Sequence, residues 1–240
     1  MIPISDRNPS PIKPWVVWGL IACNVLIFIG EYGLNNSELH ELMLNYGMVP
    51  QRVTEALQGK ANIVTALLIP TFTSLFLHGG LLHLASNMWF LHIFGDNVEA
   101  KLGRLQFGLF YLFCGIFAHA TQYMMAPTSP IPTIGASGAI AGVLGAYIVT
   151  WPRARIVTLV PIFFLLTFMQ LPAVVVLGFW FILQLFQGVG TIGTQFSSGG
   201  VAYGAHVGGF IAGAILIKIL PTMTVQRQRY QPRGRHTRRW

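Results

Sequence analysis

The stretch "TIGASGAIAGVLGAY", residues 133–147, sets one serine, Ser137, among the smallest side chains available, and His206 stands in a second such stretch, "YGAHVGGFIAGA". Serine is a weak nucleophile until a base takes its proton, and a neutral imidazole within about 2.6–3.2 Å is the usual base. Attack on a carbonyl creates an oxyanion that needs preorganised donors. His83 and Asn87, spaced i, i+4 in "HGGLLHLASN", share a helix face and both carry side-chain donors. The backbone N–H of Ser137, near the start of its helix, has no intrahelical partner and adds the positive end of the helix dipole. These residue types together suit acyl transfer by a Ser–His dyad. A triad is not expected, because the acidic residues Asp6, Glu31, Glu38, Glu41, Glu55, Asp96 and Glu99 fall at termini, in loops or at the edges of apolar segments.

The elements that must position these groups are membrane helices. Of 240 residues, 53% are hydrophobic and only 9% charged, against about 25% charged in a soluble domain. No Lys, Arg, Asp or Glu lies between Arg104 and Arg153. A helical span needs about 20 apolar residues, and the candidates are 15–32, 80–94, 107–124, 134–150, 172–190 and 201–220. The apolar run from 156 to 190 is too long for one upright helix, yet two spans there would put "WPRAR" and the arginine-rich end of the chain on opposite sides. The positive-inside rule favours one crossing helix from Pro172, preceded by an interfacial or re-entrant segment. Six spans with both termini cytoplasmic result. Thirteen of the 15 Lys and Arg residues then lie inside, and only Arg52 and Lys60 outside.

The expected organisation is a cytoplasmic segment 1–13, a six-span domain 14–221 and a basic cytoplasmic tail 222–240. The largest polar insertion runs from Gly33 to about Thr71. The first apolar run is long enough to span, so a cleaved signal peptide is not expected. The net charge of +8 owes much to six arginines in the tail; beside a membrane helix these read as an inner-face marker or a contact for anionic lipid, and not as a nucleic-acid site. Cys23 and Cys114 sit in apolar segments, make no local motif and exclude a zinc ribbon.

With the sides fixed, depth follows. Ser137 lies about one turn below the outer end of span four, His206 between one and two turns down span six, and His83 and Asn87 in the first turns of span two. Four polar side chains from three helices share a layer about 5–10 Å below the outer surface, and polar groups inside spans are functional-site candidates by default. Gly138 and Gly142, then Gly204 with Gly208 and Gly209 with Gly213, form small-xxx-small pairs that let helix backbones approach closely. Close approach of spans four and six is what a short serine and a compact histidine need to meet.

The set "GASG" (135–138), "HGGLLHLASN" (78–87) and "GAHVGG" (204–209) resembles the rhomboid family of intramembrane serine proteases, over roughly residues 14–221. The resemblance implies an all-α, six-transmembrane-helix bundle with Ser137 as nucleophile and His206 as general base. It implies His83, Asn87 and the Ser137 N–H as the oxyanion hole, His78, Gly135 and Gly138 as structural residues near the site, and Gly209 as the glycine that admits close packing of span six on span four. It also implies transmembrane protein substrates cut near the outer face, the lipid bilayer as surroundings, and neither cofactor nor metal. A bacterial inner membrane is the expected location. Two departures stand out. Where some rhomboids carry an aromatic residue four positions after the nucleophile, stacked under the histidine, this chain has Ala141, leaving Tyr203 as a candidate to orient His206; and the first outer loop lacks a Trp-Arg pair, although Arg52 is present.

Rival chemistries lack their residues. A zinc protease needs HExxH, an aspartyl type needs two intramembrane aspartates, and a Ser–Lys dyad needs a lysine at depth, whereas Lys218 lies at the inner end of span six. The alternatives kept open are a catalytically silent rhomboid-like protein that binds transmembrane clients and, more remotely, a transporter, which would show inverted repeats. Span five, with its glycine-rich following loop, is the expected lateral gate, its partner being span two.

Overall fold

The computed structural model describes residues 1–162, 164–191 and 202–223. All but the first two residues of the basic tail, and most of the glycine-rich loop after span five, lie outside them. The chain opens with a strand, β1 (Ile2–Asp6), followed by α1 (Trp15–Tyr32). α1 has 18 residues with a mean hydropathy of 1.7 and is long and apolar enough to cross a membrane. The polar insertion folds into α2 (Asn36–Tyr46), closed by a capping box on Asn35 and Glu38, and α3 (Pro50–Leu57), then a π turn, the short α4 (Ile69–Thr73) and a 3₁₀ turn over Ser74–Phe76. The long α5 (Leu81–Leu102) and α6 (Arg104–Met125) meet at Gly103, and α7 (Ser137–Thr150) follows. After the strands β2 (Arg155–Ile162) and β3 (Leu165–Pro172) come α8 (Ala173–Thr191) and α9 (Tyr203–Ile219).

The bundle inverts the soluble pattern on its outside. Leu26, Ile29, Phe113, Phe117, Phe186 and Ile215 are exposed large apolar side chains on helix surfaces, while its centre packs Phe94, Phe107, Phe110, Tyr111, Leu144 and Tyr147 around the glycine- and alanine-rich α7. A Cβ on Gly209 would run into the carbonyl of Gly138, and one on Gly213 into the carbonyl of Gly142. α7 and α9 therefore touch backbone to backbone, as the glycine spacing anticipates.

Three features differ from the sequence reading. Ser137 is the first residue of α7 rather than one turn inside it. With 14 residues, α7 is about 21 Å long, shorter than the roughly 30 Å hydrocarbon core. Secondly, the apolar segment before Pro172 is a β-hairpin, and β1 joins it to make an antiparallel sheet ordered β1-β2-β3. Composition cannot separate a short apolar strand from a piece of helix, and the pairing partner lies 150 or more residues away at the start of the chain. The bundle is thus a helical membrane fold carrying a small sheet. Thirdly, two acidic residues placed at edges, Glu31 and Glu99, are built into the core. Glu99, fully buried, accepts the N–H groups of Val16 and Val17 at the start of α1, at 3.1 and 2.9 Å. This satisfies orphan donors and sets a carboxylate at the positive end of the helix.

At the end of the bundle opposite Ser137, β1 is tied down by side chains. The Tyr147 hydroxyl donates to Asp6 at 2.7 Å, Asn97 donates to the same carboxylate at 3.0 Å, and Asn8 donates to Asn97 at 2.7 Å. Burial pushes the Asp6 carboxyl above its ordinary value, while the bonds from Tyr147 and Asn97 pull against that rise. Hydrogen bonds to charged groups contribute about 1.5–3 kcal/mol, so Tyr147→Phe is expected to lower stability by about 2 kcal/mol, read as a lower thermal midpoint in detergent, with the Ser137 end of the bundle intact.

Candidate active site

Ser137 and His206 meet where α7 and α9 cross. The two are brought together by the glycine contacts that hold these helices at backbone distance, and Nε2 of His206 lies 2.8 Å from the Ser137 hydroxyl oxygen. The other ring nitrogen, Nδ1, lies 2.6 Å from Oε1 of Gln184 on α8. An amide oxygen only accepts, so Nδ1 carries the hydrogen and Nε2 is left as the acceptor for the serine O–H. Trp180, one turn before Gln184, sets its ring 5.8 Å from the imidazole at 36°. Both His206 and Gln184 are 8% exposed.

α8 thus supplies what the sequence reading left to Tyr203: the described hydrogen bonds of the imidazole go to Ser137 and Gln184, with Trp180 beside it. The signal for Gln184 was present. It is the one polar side chain between Ala173 and Leu185, on the helix expected to cross as span five, and a polar group in a span is a functional-site candidate by default.

His83 and Asn87 come from the first turns of α5. Gly135, in the loop before α7, has φ +107, a conformation glycine adopts without strain. A Cβ there would stand 2.7 Å from the His83 ring and 3.6 Å from the Asn87 amide nitrogen. Both side chains therefore converge beside the backbone two residues before Ser137. Asn87 is held in turn by His78. The His78 Nδ1–H donates to the Phe76 carbonyl at 3.2 Å, which makes Nε2 the acceptor of the Asn87 amide at 3.0 Å. The His78 and His83 rings pack edge to face at 5.0 Å.

Two supports were not legible as such. Glu31, at the end of α1 and 4% exposed, accepts the backbone N–H of His78 with both oxygens, at 3.3 and 3.2 Å. His119 on α6 pairs with the Ser74 hydroxyl at 3.2 Å, and the Ser74 carbonyl accepts the Gly135 N–H at 2.8 Å. Ser74 is fully buried, so this second hydroxyl–imidazole pair anchors the loop entering α7. Among the described residues no group of three His, Cys, Asp or Glu side chains stands as metal ligands would.

Close backbone contact makes the geometry sensitive. Gly209→Val is expected to push α9 off α7 by about 1 Å, and misplacement on that scale costs about 10²-fold in rate. Gly178→Ala on α8, where a Cβ meets nothing within 4 Å, is the matched control with unchanged turnover.

A site of this make-up, on a bundle with an apolar exterior, defines an integral membrane protein of the rhomboid class. The model of the Rhomboid domain matches residues 66–222, and the chain belongs to the rhomboid family. It is 28% identical over 158 residues to the rhomboid-like protein 11, chloroplastic, of Arabidopsis thaliana, covering 62% of this chain and 51% of that protein. It is 32% identical over 150 residues to the presenilin-associated rhomboid-like protein, mitochondrial, of Rattus norvegicus, covering 61% and 36%. The chain spans about half or less of the length of these relatives. Their names are those of organelle proteins and lend no support to the expected bacterial inner membrane.

Proposed function

We propose that this protein is an intramembrane serine endopeptidase, hydrolysing peptide bonds of transmembrane proteins near the outer face of the bilayer through a Ser137–His206 dyad. The observation that carries the reading is the chain of contacts Ser137–His206–Gln184, which gives the imidazole the tautomer a general base needs. In the acylation step the Ser137 oxygen attacks the scissile carbonyl carbon and its proton passes to Nε2 of His206. The carbonyl electron pair becomes an oxyanion, met by the Ser137 N–H at the start of α7, by His83, and by the Asn87 amide hydrogen not committed to His78. As the oxyanion collapses, the C–N bond breaks and the leaving amine takes the proton from Nε2. Water then attacks the acyl-serine, again giving its proton to Nε2, and the serine regains one as the carboxyl product leaves.

On this reading the chain crosses six times with both ends on the inner side, the layer lies below the outer surface, and a solvent-filled cavity above Ser137 would deliver the water. Gln184 acts here as a positioning residue: it touches the base, not the substrate. The reading is tested by reconstituting the protein with a single-span reporter whose apolar helix has a small-residue stretch at its outer end. Cleavage by the native chain and none by His206→Ala supports the reading. Reporter bound but uncut by the native chain would instead identify a client-binding protein.

A further inference from the structure

Helix α1 contributes nothing to the dyad, yet a carboxylate is built in at each of its ends. At the start, Glu99 accepts from Val16 and Val17, where the helix dipole is positive. At the other end α1 supplies the carboxylate itself: Glu31 stands in its last turn, where the dipole is negative. Glu31 is 4% exposed. No Lys or Arg lies between Lys13 and Arg52, nor between Lys60 and Lys101. The described partner of both its oxygens is one neutral donor, the His78 N–H, at 3.3 and 3.2 Å. A buried acid met by a single neutral donor is costly, and packing alone would be served by an apolar side chain of the same length. What the charge adds is strength of hold, since a hydrogen bond to an ionised acceptor is roughly twice as strong as a neutral one.

The group held in this way governs the donor side of the site. His78 lies in the short connection 77–80, between the 3₁₀ turn that ends at Phe76 and the start of α5 at Leu81. Gly79 and Gly80 follow it, and glycine leaves the backbone its widest freedom, so this connection does not stiffen itself. The bond from Glu31 fixes the His78 backbone from outside. The ring is then set by its own Nδ1–H on the Phe76 carbonyl, which leaves Nε2 3.0 Å from the Asn87 amide nitrogen. The two hydrogens of a side-chain amide are fixed in one plane. Holding one on Nε2 of His78 therefore aims the other, which is the hydrogen assigned to the oxyanion.

We propose that Glu31 is a positioning residue for the oxyanion donors: through the backbone of His78 it fixes Nε2, and Nε2 aims the Asn87 amide. α1 thereby sets the donor side of the site, as α8 sets the base. The inference rests on the proteolytic reading and is tested by a double-mutant cycle on cleavage of the single-span reporter. Asn87→Ala removes one oxyanion donor and is expected to lower kcat by about 10²-fold. Glu31→Met keeps the length and removes the acceptor; it should lower kcat about tenfold, with KM within about twofold of native, as a donor slightly out of place does. Because Glu31 acts through Asn87, the double variant should be no more than about twofold slower than Asn87→Ala. Losses that multiply, to about 10³-fold in the double variant, or a native kcat in Glu31→Met, overturn the proposal. Glu31→Gln retains a weaker acceptor and should be about threefold slower by itself and add nothing to Asn87→Ala; it carries the same cycle if Glu31→Met does not fold. A native chain that cleaves no reporter strikes the proteolytic reading instead, and thermal midpoints in detergent then decide whether the contacts form one unit. A shift in the double variant smaller than the sum of the two single shifts supports the coupling of Glu31 to Asn87, and a shift equal to that sum overturns it.

Discussion

Ser137→Ala is expected to reduce cleavage of a transmembrane reporter by at least about 10⁴-fold while leaving the fold and the reporter's binding in place. The magnitude follows from how a nucleophile and its base act as a unit. Removing one member forfeits nearly everything the pair supplies, and what remains over the uncatalysed rate comes from oxyanion donors and binding. The substitution deletes one hydroxyl at the first position of α7, where the neighbouring backbone is pinned by the Gly135 N–H on Ser74 and by the glycine contact with α9. A structural explanation for lost activity is therefore testable separately: the thermal midpoint in detergent should move by no more than a degree or two. Turnover of the reporter by Ser137→Ala at a tenth of the native rate would remove the serine from the mechanism.

The second large effect belongs to Gln184. Its amide oxygen stands 2.6 Å from Nδ1 of His206, and without it nothing described holds the hydrogen on that nitrogen. A histidine left in the wrong tautomer costs a serine protease about 10⁴-fold. Here Trp180 still flanks the ring, and a water could accept from Nδ1, so Gln184→Leu is expected to lower kcat by about 10²–10³-fold with KM little changed. Gln184→Glu keeps an acceptor at the same place and should recover most of that loss. A residue that merely packed α8 against α9 would behave otherwise: leucine, close in volume and apolar, would be tolerated, and the buried carboxylate would be the damaging change. Equal activity of Gln184→Leu and the native chain would show that the imidazole needs no partner from α8.

How much of this was legible in the sequence depends on what carried the signal. Ser137, His206, His83 and Asn87 could be picked out because each interrupts an apolar run, and the structure brings Ser137 to His206 and sets His83 and Asn87 beside the loop that enters α7. The glycine spacing on α7 and α9 expressed the need for close backbones. What was hidden has in each case a partner distant in sequence. Glu31 reads as the polar end of a span until the loop bearing His78 folds over it. Glu99 reads as an inner-edge charge until the start of α1 is placed on it. The sheet is hidden most completely, since β1 is five residues long and β2 and β3 look as much like a membrane segment as like strands. Gln184 is different in kind: as a polar side chain inside a span it meets the same rule as the other polar residues, but its partner, Nδ1 of His206, lies 22 residues on in another helix and nothing in the local sequence marks the pairing.

The position of α8 gives these parts a common logic. It contributes the two side chains that hold His206, and it begins where the hairpin ends. If α8 moved to admit substrate, as is expected of span five, Gln184 would leave Nδ1 and the base would be set only with the helix seated. Joining α8 to α5 covalently near their outer ends should block the membrane-embedded reporter.

The most direct test of the central claim treats the native protein in its membrane with a fluorophosphonate and maps the adduct by peptide mass spectrometry. One adduct on Ser137, lost on His206→Ala and strongly slowed by Gln184→Leu, is the expected result. Modification elsewhere in the chain, or labelling of Ser137 that is indifferent to His206, would contradict it.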